Sequence, residues 1–158
     1  MELWQLTARE RIRDTLARYN WSGDAGHLDD MAMAFDEDGE LQVRGGPAHR
    51  GRPAILAFLG GTVQDADAAA RSAPGSTAPR RIVRHNLTNT RFVELHPTQA
   101  RVESYFTVLT ELGLDHYGRY RDVFVPVGDE WLIRHRFVST DWRSPSSTMA
   151  PPSVVRGP

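Results

Sequence analysis

IVRHNLTNTRFVELHPTQARVESYFTVLTELGLDHYGRYRDVFVPVGDEWLIRHRFVSTDW, residues 82–142, is the stretch whose reading decides the fold. His96-Pro97, Gly113 and Gly128-Asp129 punctuate it into four runs: Ile82 to Leu95, Gln99 to Leu112, Asp115 to Val127 and Glu130 to Trp142. Each connection is short, so neighbouring runs pair antiparallel. Each run exceeds the usual five or six residues of a strand. Strands of that length twist and bend. Residues 82–142 therefore predict a long-stranded, curled antiparallel sheet.

The residues before it read as helices. Thr7-Ala8-Arg9-Glu10 has the spacing of a capping box, and Ile12, Leu16 and Tyr19 follow at helical intervals. Gly23 is expected to break that helix and Asp24 to cap the next. In the second helix Leu28, Met31, Ala32 and Phe35 form an amphipathic stripe that ends at Asp38-Gly39. Residues 40–44 alternate as a short strand, and Gly45-Gly46-Pro47 is a turn. Pro53 opens a third helix with Ile55, Phe58 and Leu59 on its buried face, and the alanine-rich Asp65 to Ala70 extends it. Ser72 to Pro79 reads as a loop long enough to serve as a lid or mobile segment. The Ser/Pro-rich stretch from Arg143 onward reads as a flexible tail. The expectation is one α+β domain over 1–142 and a tail over 143–158: a cone-shaped curled antiparallel sheet wrapped around three N-terminal helices. An apolar interior of that shape is a natural small-molecule pocket.

Composition narrows the chemistry. The 158 residues carry a net charge of −1, with no cysteine, and all 19 basic residues are arginine. Disulfides, thiolate nucleophiles, Cys-ligated metals and Schiff-base lysines are excluded, and arginine stays protonated. Balanced charge argues against nucleic acid as a partner. Met1-Glu2-Leu3-Trp4-Gln5 lacks the basic start and apolar run of a secretory signal, and no run is long enough to span a membrane. The expectation is a cytoplasmic protein with no membrane partner. Proton transfer falls to six histidines, the carboxylates and four tyrosines. His85, His116 and His135 lie on strands without metal-ligand spacing, so neither a metal nor another cofactor is expected.

The order of features is itself informative. It runs through Tyr19, Asp24, the Leu28 to Phe35 stripe, Asp38-Gly39, Gly51-Arg52-Pro53-Ala54-Ile55, Arg84-His85 and Thr88-Asn89. It closes with Ser104-Tyr105-Phe106, Gly118-Arg119-Tyr120-Arg121-Asp122 and Trp131-Leu132-Ile133-Arg134-His135-Arg136. This set, over about residues 5–142, resembles the nuclear-transport-factor-2-like superfamily in its SnoaL-like branch. Within it the chain is most similar to the group of scytalone dehydratase, hexachlorocyclohexane dehydrochlorinase and bile-acid dehydratase. The resemblance implies an α+β cone that dimerises through its sheet, with Asp24 and His85 at the places of that group's acid–base pair. His85 to Arg91 looks particularly like the dehydrochlorinase strand. Its lysine falls close to Tyr19 here and its later arginine at Pro126 or Val127, so the groups that hold its leaving group do not carry over.

These residues suit proton abstraction from carbon. A neutral His is the natural base near pH 7, and a carboxylate on its other nitrogen fixes the tautomer. Asp24 and His85 are thus the candidate catalytic pair, although Asp24 alone also reads as a helix cap and His85 as a sheet histidine. Tyr19, Tyr105 or Tyr120 could supply an acid. Tyr19, Trp21, Phe35, Phe58, Asn89, Tyr105, Tyr120 and Asp122 are the candidate substrate-binding residues. Strand parity puts His85, Leu87 and Asn89 on one face. Asp122 alternatively pairs with an arginine of the next strand, and Trp21, Phe35 and Phe58 read equally as core. Arg134 and Arg136 read as a solvated or dimer-contact face. Two functions fit. One is a cofactor-independent lyase or isomerase acting on a hydrophobic, cyclic molecule by dehydration, dehydrohalogenation, isomerisation or polyketide cyclisation. The other is a non-catalytic binding or assembly module, since fold does not imply function. A homodimer or higher homo-oligomer is expected in either case.

Overall fold

The structure, a computed structural model, describes residues 1–71, 82–147 and 149, and the side chains of 63–71 are left aside. In chain order the elements are α1 (Leu3–Ala25), α2 (Leu28–Ala32), β1 (Phe35–Val43), β2 (Ala48–Arg50) and α3 (Arg52–Arg71). They continue with β3 (Val83–His96), β4 (Gln99–Thr110), β5 (Gly113–Val127) and β6 (Glu130–Arg143). The four C-terminal runs pair antiparallel in sequence order, as their short connections require. The six-stranded sheet has the order β2-β1-β6-β5-β4-β3. It is curled but unclosed, and β3 forms one free edge.

The N-terminal half departs from the sequence reading in four places. First, α1 begins at Leu3, with the Glu2 N–H bonded to Gln5 Oε1 at 2.9 Å. Thr7 lies inside the helix and returns its hydroxyl to the Leu3 carbonyl. Second, Gly23 does not break α1. A Cβ there would lie 3.0 Å from Met31 Sδ, so the glycine admits α2 closely, and the helix ends at Gly26 in the left-handed region. Asp24 is therefore in the last turn of α1 and caps nothing. Third, α2 is a single turn, and Phe35 opens β1 instead of closing a helix. The Ala34 carbonyl accepts the Ile133 N–H at 2.9 Å, Phe35 pairs with Ile133, and Arg52 Nε donates to the Phe35 carbonyl. Tertiary pairing overrides the helical stripe. Fourth, β1 runs parallel to β6, and β2, unforeseen, pairs with β1.

α3 takes up the alanine-rich segment, as expected. The loop and lid expected over Ser72 to Pro79 fall outside the described residues. Beyond β6, the Ser144 N–H donates to the Asp115 carbonyl at 2.7 Å and Ser147 Oγ to Asp115 Oδ1 at 2.7 Å, so the first residues of the tail lie along β5.

α1 lies across the concave face of the sheet. Ala8, Ile12, Leu16 and Tyr19 enter one core with Phe35, Leu41, Ile55, Val102, Phe124 and Ile133. Each large side chain buried there contributes roughly 1.5–3 kcal/mol. Thr15 Oγ1 ties α1 to the Trp131 carbonyl at 2.7 Å. In this core sits Arg136, 0% exposed, which corrects its reading as a solvated or dimer-contact residue. Arg136 and Asp122 are opposite one another on β6 and β5. The pair is bidentate, Nε to Oδ1 at 2.9 Å and Nη2 to Oδ2 at 2.7 Å. The guanidinium lies 4.2 Å from the centroid of Tyr19 and 4.1 Å from that of Tyr120.

Removing one member strands a buried charge, whereas replacing both by apolar residues need not destabilise. Arg136→Met is expected to lower the unfolding free energy by about 3–5 kcal/mol, and Arg136→Met with Asp122→Leu to recover most of it. Urea denaturation of both variants checks this. Equal destabilisation by the two would show that the pair is not the source.

Candidate active site

The last turns of α1 carry Asn20, Trp21 and Asp24 up to the edge strand β3. Asn20 and Asp24, four residues apart, share one side of the helix. Asp24 grips His85 twice. Oδ2 accepts the His85 backbone N–H at 2.9 Å, and Oδ1 lies 2.6 Å from Nδ1. An edge strand leaves every second N–H without a sheet partner, and Asp24 supplies one for His85. A carboxylate is only an acceptor, so in the neutral ring this contact places the proton on Nδ1 and leaves the lone pair on Nε2. Both side chains are largely shielded, 21% exposed for His85 and 11% for Asp24.

They open on a hollow of about 890 Å³, walled by Asn20, Trp21, Asp24, Ile82, His85 and Leu109 among others. A smaller hollow of about 260 Å³ adjoins it toward Leu16, Leu87 and Thr90, and Asn20, Trp21 and His85 line both. The larger volume suits a small organic molecule. Trp21, 78% exposed, stands at the rim and not in the core. Asn20, only 7% exposed, went unnoticed in the sequence because a break expected at Gly23 hid its helical relation to Asp24. Its Oδ1 is buried and meets no donor among the described residues. A buried acceptor left unmatched costs about 1–3 kcal/mol.

The other candidates scatter. Tyr19, Tyr120 and Asp122 come together around Arg136 in the core, not on the wall of either hollow described. Phe35 is fully buried and edge-on to Tyr19, with ring centroids 5.8 Å apart. Phe58 packs on the core from α3 and stacks on His49 at 4.1 Å. Asn89 does not share the face of His85. It has φ 52° at a register shift between Thr88 and Arg91, and this bulge turns it outward to solvent. Tyr105, 51% exposed, lies on the outer face of the sheet. Tyr117 and Trp142 stack on each other at 5.5 Å and are likewise exposed.

The core tyrosines are poor acids at neutral pH. Burial pushes the phenol of Tyr19 above its ordinary value, with Arg136 pulling the other way. Tyr120 is raised further, by burial first and then by Tyr19, against the pull of Arg136. Desolvation works to lower Arg136, but Asp122 and the two tyrosines outweigh it, so its guanidinium is held above the usual range. Below about pH 10 both folded and unfolded chains keep the tyrosine protons. Above it the unfolded chain releases them while the folded chain holds them, so stability falls as pH rises. The chain has no lysine or cysteine to contribute there. Melting temperature is expected to fall above about pH 10, with a shallower slope in Tyr120→Phe. An unchanged slope in that variant would remove Tyr120 as the cause.

The comparisons with known proteins agree on the architecture. The family model described as the SnoaL-like domain matches residues 4–137. A putative scytalone dehydratase from Novosphingobium aromaticivorans superimposes with a TM-score of 0.74 at 22% identity, covering 97% of each chain. A Catenulispora acidiphila structure gives 0.72 at 25% identity, over 89% of this chain and 96% of its own. ActVI-ORFA from Streptomyces coelicolor gives 0.69 at 23%, over 84% of this chain and 96% of its own. Among curated proteins none matches significantly. With the helices, the curled sheet and the family model in agreement over most of its length, this chain belongs to the SnoaL-like family.

Proposed function

We propose that the protein is a cofactor-independent lyase that eliminates water or halide from a hydrophobic, cyclic small molecule, with His85 as base and Asp24 as its orienting carboxylate. The observation that carries this reading is the two-point grip of Asp24 on His85 beside a hollow of about 890 Å³. The likeness to a putative scytalone dehydratase supports a dehydration in particular.

His85 Nε2 takes a proton from the carbon next to the one bearing the leaving group. The C–H electron pair becomes the new C=C bond, and the C–X bond breaks with its pair going to X. Asp24 stabilises the imidazolium formed in between. When X is hydroxide, the imidazolium returns the same proton to it on the same face of the ring, so water leaves and His85 is neutral again; when X is halide, X⁻ departs and the imidazolium gives its proton to solvent. This return accounts for the acid step without Tyr19, Tyr105 or Tyr120. The same base applied to a proton beside a carbonyl would give isomerisation or ring closure. Trp21 and the side of α1 would hold the ring, and positioning supplies what the base does not.

The ligand side of this reading is hydrophobic and small. No helix among the described residues is long and apolar enough to cross a membrane. Homodimerisation through the outer sheet face, where Tyr105, Tyr117 and Trp142 are exposed, belongs to the same reading, and sedimentation velocity tests it.

A panel of cyclic β-hydroxy ketones and halocyclohexanes, followed by mass spectrometry for loss of water and by halide release, tests the chemistry. His85→Ala is expected to lower turnover on the order of 10²–10⁴-fold and Asp24→Asn to lower it in the same direction. Turnover that survives His85→Ala, or no turnover of any member, would leave a binding module as the better reading.

A further inference from the structure

The wall of the larger hollow carries two side chains that are ionised at neutral pH, Asp24 and Arg84, and they differ in what they have left to offer. Asp24 is committed to His85 at both oxygens. Arg84 is exposed and meets no carboxylate among the described residues. Its Nη1 donates to the neighbouring Val83 carbonyl at 2.7 Å, and the rest of the fork is open. By contrast Arg13, on the wall of the smaller hollow, pairs with Glu10. Arg119, on the outer sheet face, holds both oxygens of Asp141 at 3.0 Å. Glu111, two residues beyond Leu109 in the turn after β4, accepts the Ile82 N–H at 3.2 Å and is not on the wall of the larger hollow.

Placement gives that hollow two unlike ends. Successive residues of a strand point to opposite faces, so Arg84 leaves β3 on the side away from His85 and Asp24. It sits opposite Leu109 of β4. Because β3 is a free edge, the hollow wraps around it, with Asp24, His85 and Trp21 to one side and Arg84, Ile82 and Leu109 to the other. Trp21, Ile82 and Leu109 are all exposed, so a ligand in the hollow reaches them directly. It is held by apolar side chains along its length and meets an open cation at the end remote from the Asp24 charge. An anion at that end gains Arg84 without facing Asp24. A guanidinium fork matches a carboxylate with two parallel N–H···O bonds.

Building on the elimination reading, we propose that Arg84 is a specificity-determining residue, whose guanidinium pairs with a carboxylate carried on the otherwise apolar ring of the substrate. The hollow thereby takes ring acids in preference to neutral molecules of the same shape. With the acid end at Arg84, the far side of the ring turns toward His85, and the orientation sets which C–H meets Nε2.

The test is a binding measurement with a shape-matched pair, 2-naphthoate and 2-naphthamide, at about pH 8, where the first is an anion and the second is neutral. It is read from the indole N–H signals of the four tryptophans in nitrogen-15 NMR, Trp21 being the one on the wall. The wild-type protein is expected to bind 2-naphthoate about 5-fold more tightly than the amide, the upper end for an ion pair at a surface. That margin is expected to vanish in about 1 M salt. Arg84→Gln is expected to erase it with the dispersed spectrum of a folded chain, since the side chain is exposed. Arg84→Lys, which keeps the charge but not the fork, is expected to fall between the two. Trp21→Ala is expected to weaken both ligands alike.

Equal affinity of the wild type for the two molecules would overturn the proposal, as would failure to bind 2-naphthoate at all. A preference that survives Arg84→Gln or about 1 M salt would overturn it too, and would assign the anion elsewhere. Affinities untouched by Trp21→Ala would put the ligands outside the hollow and overturn it as well. No turnover is needed. Should the elimination reading fail, product is absent while the Arg84-dependent preference persists. Should the Arg84 assignment fail, the preference is absent while His85-dependent turnover persists.

Discussion

One carboxylate joins the helical half of this protein to its sheet. Asp24 bonds to a main-chain N–H and to a ring nitrogen of the same residue, so it fixes both the position of β3 and the rotation of the His85 side chain. Neither bond alone would do this. A ring held only through Nδ1 could follow a shifting edge strand, and a strand held only through its N–H would leave the ring to choose among rotamers. The grip requires α1 to run through Gly23 to Ala25, which brings its last turn to the strand. The larger hollow follows from the same constraint, because its walls are what the end of the helix and the start of β3 leave between them.

A second constraint acts deeper. The interior is not the uniformly apolar cone that the sequence suggested. Its middle holds an arginine and an aspartate facing two tyrosine rings, net neutral and wholly buried. A pair of this kind adds less to stability than its contacts suggest, because both charges leave water. What it does impose is register. The Asp122 and Arg136 positions must stay opposite one another, and a slip of one residue between β5 and β6 would turn two charges outward and strand the aromatic faces. Gly118 marks the close approach nearby: a Cβ there would fall 2.0 Å from the Ser139 carbonyl oxygen.

Legibility from sequence followed physical locality. The four long strands were readable because turn residues and short connections act over a few residues, and their observed ends differ from the expected ones by only a residue or two. The family was readable from ordered motifs, and the fold with it. Phe35 was misread because helical spacing and burial in a sheet both ask for an apolar residue there, and only its partner Ile133, distant in sequence, decides. Asn89 was misplaced because parity assumes an unbroken strand, and a bulge resets it. Arg136 was misread because its sequence neighbours alternate charge as an exposed strand would. Asp24 and His85 were singled out by chemistry and family order, and they are in contact. Asn20 was missed because one glycine was taken as a stop, when its role is close packing against Met31.

The parallel pairing of β1 with β6 has a consequence for how the chain comes into being. Phe35 and Ile133 are neighbours in the sheet, and Thr15 bonds to the Trp131 carbonyl across 116 positions. Local hairpins among β3 to β6 can form as soon as their residues are made, but β1 has only the short β2 beside it, and α1 lacks its contacts to β6, until the final strand is available. During synthesis the amphipathic helices therefore wait with their apolar faces uncovered while more than half of the chain follows. Closing so long a loop is entropically slow. The ribosome thus releases the helices first and completes their sheet last, so the interval between those events is when this protein is exposed to misassembly.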